Sequence, residues 1–421
     1  MAADVPPQYL WTLTDEPGDP HPLRAFLRSL PRPPRLLAFG ECMHEEEALP
    51  QLRNQFFRYL AEFEGYRSVA LETHCIADNL VNNFVVRGVG SLDMVMRDGF
   101  SHGFGDSPAN RQLVEWMRAY NSERDESECL RFYGFDAPVE MTGGESPRVI
   151  ITALFSLLEE HVNPELMPCR KQVIDTLVGD DERWANAEAA FEPSLSVGTS
   201  TDAMRLRLLI DDLTALLYSE SPHLVSRLTE EDWWRARLYA RTAAGLMRYH
   251  AAVADDSDQR VPRLLGLRDE LMASNLAAIA ERERPRGPTL VFAHNRHLQK
   301  YKSHWVFNGQ DIEWWSAGAI VDVQLGEEYA FLASALGVAK HHEINEPAPK
   351  TFEAFLSEAL PGHVTICAAD SLVRAFTETG HTPKLRAETS SNLSYFSLDP
   401  RYLDRTEGVV FLKEVKAGRL W

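Results

Sequence analysis

The stretch Leu36 to Glu47, LLAFGECMHEEE, runs from apolar residues into Glu41, then His44, then three more glutamates. A carboxylate followed three residues later by an imidazole is a pairing suited to general-base work. An imidazole that titrates near neutrality can take a proton from water, and a neighbouring carboxylate fixes its tautomer and favours the imidazolium. Three other apolar runs end the same way: SVALE at Glu72, RFYGFD at Asp136, and TLVFAH at His294, with Asn295, Arg296 and His297 just behind. Glu41 alone reads equally as a cap for the next helix, and His44 alone as a surface histidine in a charged loop. Glu72 and His294 are harder to dismiss, because an unpaired charge at the end of a buried strand is costly. The conjunction of all four points to one site.

The elements that must position these groups follow from the patterning. Continuous apolar runs such as Leu36–Phe39 predict interior strands of a parallel sheet, and they alternate with amphipathic stretches at 49–63 and 110–121. This alternation predicts an α/β fold, a mainly parallel sheet with flanking helices. In such sheets ligands bind outside the carboxyl ends of the strands, which is where the four polar exits lie. Glu45, Glu46 and Glu47 predict the acidic first turn of the helix over 49–63, and Arg53 falls about two turns in, within reach of the strand ends.

From residue 146 to 285 the strand pattern disappears and long helical patterns take over, so the sheet is interrupted by a large all-helical insertion or lid. The strand pattern resumes with PTLVFAH, AGAIVDVQL, YAFLASALG and EGVVFLKEV. The predicted organisation is a Pro-rich leader over 1–34 carrying one short helix, a first half of the core over 35–145, the insertion over 146–285, and a second half over 286–421.

Composition narrows the partners. A formal charge of −19 over 421 residues opposes nucleic-acid binding and favours neutral or cationic small molecules. The absence of an eighteen-residue apolar run, and of a basic and apolar start, predicts a cytoplasmic protein with no membrane partner. The five cysteines are scattered and form no C-x-x-C, so neither a disulfide framework nor a structural zinc site is expected.

The blocks GECMH, RNQFFRYLAEFEGYRSVALE, WMRAYN, FYGFD, RDELMASN and FAHNRHLQK, in this order, resemble the erythromycin esterase family. The resemblance extends over about residues 35–325 and touches the EGVVFLKEV end. It implies an α/β core with a helical insertion, hydrolysis of an ester or lactone, and a hydrophobic natural product as substrate. Residue by residue, it places Glu41 and His44 on the family's first catalytic pair, Glu72 on its second carboxylate, Arg53 on its arginine, and His294 and His297 on its second histidine pair. His44 is then the base that activates water, with Arg53 and His294 beside the oxyanion and His297, Arg296, Asn295, His74 and Asp136 as substrate contacts. Cys42, Met43, His74, Cys75 and Arg296 depart from the family's usual residues, which puts erythromycin itself in doubt as the substrate.

Other chemistries fit the same residues. The family's cleft could equally serve lyase, cyclisation or acyl-transfer reactions. No cofactor is expected, although two glutamates and two or three histidines would accept a divalent metal; no H-E-x-x-H spacing occurs. Cys42 with His44, or Cys75 with His74, would make a thiol nucleophile, but a free cysteine is more often a small buried hydrophobe. A small-molecule binder without catalysis has no chemical need for all four strand-end groups. The Trp233–Trp234 and Trp314–Trp315 pairs would suit an apolar ligand, but aromatic pairs more often pack within a core.

Overall fold

The apolar runs that predict interior strands form the middle of an eight-stranded sheet. The computed structural model describes residues 5–13, 22–140, 143–307, 309–380, 382–387 and 390–417; the rest of the leader lies outside them. The strands are β1 (Leu10–Leu13), β2 (Leu36–Glu41), β3 (Ser68–His74), β4 (Arg131–Asp136), β5 (Thr289–His294), β6 (Tyr329–Val338), β7 (Val364–Ala368) and β8 (Gly408–Glu414). Their order across the sheet is β1-β7-β8-β6-β2-β5-β3-β4. The pairs β8–β6, β6–β2, β2–β5 and β5–β3 are parallel, whereas β7 runs antiparallel to both β8 and β1. The fold is therefore α/β with a mainly parallel sheet and many helices, as the alternation predicts.

Every residue of β2 and β5 is buried, which is why both read as unbroken apolar runs. The register pairs Glu41 with His294, so the two polar exits lie side by side. Gly40 is dictated by the next element. A Cβ there would fall 2.2 Å from Asn295 Oδ1 and 2.9 Å from the Phe331 ring.

Helix α1 (Pro22–Ser29) is the short helix expected in the leader, and α2 (Ala48–Phe63) follows the β2 exit. Leu49, Leu52, Phe56 and Leu60 of α2 repeat at helical spacing and are fully buried. Phe56 meets Phe39 of β2 with ring centroids 5.2 Å apart, and Phe39 meets Phe292 of β5 at 5.6 Å. Each such side chain contributes roughly 1.5–3 kcal/mol on burial. The packing therefore fixes α2 firmly over the strand ends it must serve.

The stretch AGAIVDVQL, expected as a strand, is a helix over Ala317–Leu325. A short apolar run fits either period, and here Ser316 decides: its side chain caps the Ala319 N–H while its hydroxyl donates to the Tyr301 carbonyl at 2.8 Å.

The chain divides into two compact units. One comprises residues 1–135, 276–303 and 315–421 and holds the sheet; the other comprises 136–275 and 304–314. The second is built on the helices Arg148–His161, Thr201–Ser219, Glu230–Val253 and the first part of Arg260–Glu283. Within it Trp234 and Trp314 are buried packing residues, and Trp314 Nε1 hydrogen-bonds Asp269. Trp315, in the first unit, is 54% exposed. Among the described residues no helix is long and apolar enough to cross a membrane.

His250, in the second unit, is buried with its Nε2 donating to the Glu145 carbonyl at 2.8 Å, and burial pushes its pKa down to about 4. The unfolded chain takes up this proton near pH 6.5, whereas the native protein holds out to about pH 4. Between those values the unfolded state binds more protons, so stability rises with pH and is lost as pH falls through the window. The loss attributable to His250 is roughly 3 kcal/mol by pH 4. A His250→Gln variant, which keeps a donor, is expected to show a shallower fall of Tm between pH 6.5 and 4. An unchanged slope would remove His250 as the cause.

Candidate active site

Glu41, at the end of β2, accepts a hydrogen bond at Oε1 from His44 Nδ1 at 2.8 Å. That contact assigns the proton to Nδ1, so Nε2 carries the ring's lone pair. Nε2 lies 4.0 Å from Glu72 Oε1, a gap suited to one bridging water. Glu72 is itself anchored: Oε2 accepts the His294 backbone N–H at 2.8 Å, and Oε1 lies 3.4 Å from His297 Nε2. Burial raises the Glu41 pKa, opposed chiefly by the His44 hydrogen bond. A charge on Glu41 is therefore disfavoured by desolvation, and an imidazolium at His44 would relieve that cost.

The His44 backbone is fixed from far along the chain. Its N–H donates to Ser394 Oγ at 2.9 Å, and its carbonyl accepts from Asn392 Nδ2 at 2.9 Å. Ser394 Oγ donates in turn to Asn392 Oδ1 at 2.6 Å, and Phe396 N–H donates to the Cys42 carbonyl at 2.9 Å. Residues 390–396 thus form a strap across the His44 turn. Nothing in the sequence marks Asn392 or Ser394 for this task, since both sit in an ordinary polar segment.

His294 belongs to the same strap. Its Nδ1 accepts the Arg296 N–H at 3.1 Å, so Nε2 carries the proton and donates to the Ser394 carbonyl at 3.0 Å. Burial, reinforced by the neighbouring His44, holds its pKa well below the ordinary value, and the ring stays neutral. With both nitrogens committed to backbone, His294 packs against His44, ring centroids 5.1 Å apart, as a positioning residue; an oxyanion donor would need a free N–H.

Arg53 is fully enclosed in α2. Nε and Nη2 donate to Asn54 Oδ1 at 3.1 and 2.7 Å, and Nη1 donates to Asn110 Oδ1 at 2.8 Å. Its guanidinium carbon stands 5.0 Å from the Phe292 ring centroid. Burial lowers its pKa to about 10, which leaves it a cation at neutral pH. Of its five N–H groups these bonds use three, and Arg53 lines the cleft with two to spare.

The cleft has a volume of about 350 Å³ and is bounded by Glu41, Glu72, Arg53, Leu71, Phe292 and the loop His102–Ser107, among others. Phe104 of that loop meets the His44 ring at 5.4 Å between centroids. Glu45 and His102, both at its edge, hold positive φ values of 63° and 56°. Such backbone is unfavourable for residues with a side chain and tends to persist where function requires it. Glu45, Glu46 and Glu47 precede α2 and line the cleft instead of forming its first turn. Glu46 Oε1 accepts the Ala48 N–H at 3.0 Å, and Glu47 Oε2 accepts the Ala109 N–H at 3.0 Å. His102, Phe104 and Asp106 gave no periodic or strand-end signal in the sequence.

Several expected substrate contacts are committed elsewhere. Asn295 clamps β6 through the Ser334 carbonyl at 2.9 Å and the Ser334 N–H at 3.3 Å. His74 Nδ1 accepts the Ile76 N–H at 2.9 Å within its own turn. Arg296 stacks on the Phe396 ring, 3.3 Å to the centroid. Asp136 is fully buried and receives Arg268 Nε at 3.0 Å and Nη2 at 2.5 Å, a fork-to-fork pair inside the second unit. His297 does join the site, through Glu72.

Cys42 is fully buried, and desolvation drives its thiol far above the usual range, which removes the thiolate a nucleophile needs. Cys42→Ser is therefore expected to retain turnover to within a few-fold. A loss beyond about 100-fold, with the fold intact, would make the sulfur the nucleophile.

The sequence model of the family described as erythromycin esterase matches residues 61–415. The chain belongs to the erythromycin esterase family. The matched stretch includes Glu72, His294 and His297, and begins downstream of Glu41, His44 and Arg53. Among solved structures, a Bacillus cereus protein is 15% identical, with a TM-score of 0.71 over 95% of this chain and 92% of that one. A succinoglycan biosynthesis protein is 15% identical, with a TM-score of 0.65 over 100% and 98%. A mutant of the erythromycin esterase EreC in its open conformation is 16% identical, with a TM-score of 0.62 over 92% of each chain. At such identities these likenesses speak for the fold alone. Against curated proteins no match is found.

Proposed function

We propose that the protein hydrolyses a carboxylic ester or lactone by direct attack of a water held between His44 and Glu72. The observation that carries this reading is the His44 ring itself: Nδ1 is bound to Glu41 at 2.8 Å, and Nε2 faces a carboxylate across a 4.0 Å gap. Membership of the erythromycin esterase family supports hydrolysis as the reaction class.

In this reading His44 Nε2 takes a proton from the water while Glu72 orients it. The hydroxide adds to the ester carbonyl, and charge develops on the carbonyl oxygen within reach of the spare Arg53 N–H groups. Glu41 stabilises the imidazolium, which then gives its proton to the departing alkoxide, so acid and alcohol leave with the balance of one water. Glu45, Glu46, Glu47 and Asp106 around the cleft favour a neutral or cationic substrate, with an apolar body against Leu71, Phe104 and Phe292.

The test is turnover of a panel of aryl esters, alkyl esters and macrolactones, neutral and cationic, with the quenched protein weighed intact by mass spectrometry. Hydrolysis without an acylated enzyme is expected. A stable acyl adduct, or no hydrolysis of any member, would overturn the direct-water reading.

A further inference from the structure

Glu46 adds only its charge to the cleft in the proposed reaction, and its carboxylate has imidazole partners of its own. Its carboxylate is 1% exposed, and Oε2 meets two imidazole nitrogens, His341 Nε2 at 2.6 Å and His342 Nε2 at 3.2 Å. The histidines are consecutive on a single 3-10 turn, Lys340–His342, after β6. That turn is closed by Glu343 at a φ of 61° and by a bridge between Ala339 and Ile344. Neighbouring residues usually send their side chains apart, yet these two rings lie with centroids 4.4 Å apart. One imidazole would satisfy Oε2; the second repeats a contact already made.

We propose that Glu46, His341 and His342 form a binding site for a divalent transition-metal ion of the zinc class, separate from the hydrolytic groups. Two imidazole nitrogens and one carboxylate oxygen are a ligand set that zinc accepts, with water as the fourth ligand. The three donor atoms all lie within 4.8 Å of one another, and among the described residues this is the one such cluster of three. A tetrahedral ion with bonds of 2.0–2.1 Å separates its ligand atoms by about 3.3 Å. The Glu46–His342 spacing of 3.2 Å already matches, and the 2.6 Å contact to His341 opens slightly as the ion enters. The carboxylate is oriented for this, because Oε1 is held by the Ala48 N–H, the kind of outer contact that fixes a ligand's direction. His341 and His342 keep 26% and 16% side-chain exposure, which gives the ion a route in.

The site would join the turn after β6 to the head of α2. The same turn anchors the strap over His44, since Ser390 Oγ and Ser391 N–H both donate to the His342 carbonyl, at 2.8 and 3.1 Å. A bound ion would therefore stiffen the segment that positions the His44 backbone, without touching the reacting atoms.

The test is a zinc titration of the full chain, stripped with a chelator and dialysed, followed by calorimetry and by elemental analysis of the bound ion. Cobalt(II) serves as a spectroscopic substitute, read by the visible absorption of a four-coordinate site. One equivalent is expected to bind the wild type and the His44→Ala variant alike, and to raise Tm by mass action. His341→Ala and Glu46→Gln are each expected to weaken it roughly 100-fold or more, and to abolish the cobalt band. His341 is partly exposed, so its variant keeps the test valid should Glu46→Gln fail to fold. No stoichiometric binding at micromolar zinc, or binding that survives His341→Ala, overturns the proposal; loss in His44→Ala alone would move the ion to the hydrolytic cleft.

Discussion

His44→Ala is expected to lower kcat by about 10³- to 10⁴-fold on any ester the protein turns over, with KM changed little. The imidazole enters only when the water is deprotonated, so its loss raises the barrier without weakening ground-state binding. The fold should survive, because the His44 side chain is 27% exposed and its backbone bonds to Asn392 and Ser394 are open to alanine as well. Glu41→Gln is the informative companion. It keeps size and polarity but removes the charge paired with the imidazolium, and the amide can turn its NH2 toward Nδ1 and force the wrong tautomer. Its kcat should fall nearly as far, and the double variant little further, since the two act as one unit. Steady-state kinetics with a thermal melt of each variant decides this. If His44→Ala keeps most of its rate, Glu72 is the base; if it unfolds, His44 is structural.

What the sequence made legible depended on how far each signal travels. The strand exits could be read because a fully buried strand leaves an unbroken apolar run, and a charge at its end stands out against it. Glu41, Glu72 and His294 were found in this way, and the sheet register does bring Glu41 beside His294. What each group does with its hydrogen bonds was beyond reach. His294 and Asn295 sit at the right exit, yet backbone partners from the strap and from β6 claim their polar atoms. Those partners lie 100 and 39 residues away respectively, and no local pattern links them to the exit. Glu45–Glu47 were misread for a related reason. An acidic triplet before an amphipathic run is favourable as a first helical turn, but here the helix starts at Ala48 and the carboxylates serve the Ala48 and Ala109 N–H groups and the cleft. AGAIVDVQL failed as a strand because local composition could not weigh the cap that Ser316 provides.

Arg53 makes the second large prediction. Arg53→Lys is expected to lower kcat by about 100- to 1,000-fold, the usual cost of losing an oxyanion donor. The lysine is a poor substitute for two physical reasons. The guanidinium bonds Asn54 and Asn110 and has two N–H groups beyond those bonds, whereas an ammonium has only three donors and no planar fork. Burial already brings the Arg53 pKa down to about 10. A lysine begins near 10.4, and the same desolvation carries it toward the neutral amine, which stabilises no oxyanion. The Lys variant should therefore recover activity as pH falls, as the amine regains its proton, against a wild type that stays charged throughout. Rates measured from pH 6 to 9 on a neutral ester separate the two possibilities. A rate ratio between Lys variant and wild type that widens with pH places the cation at the developing charge. A constant ratio with raised KM and unchanged kcat would make Arg53 a ground-state binding group, and a collapsed Tm would leave it the staple between α2 and the helix carrying Asn110.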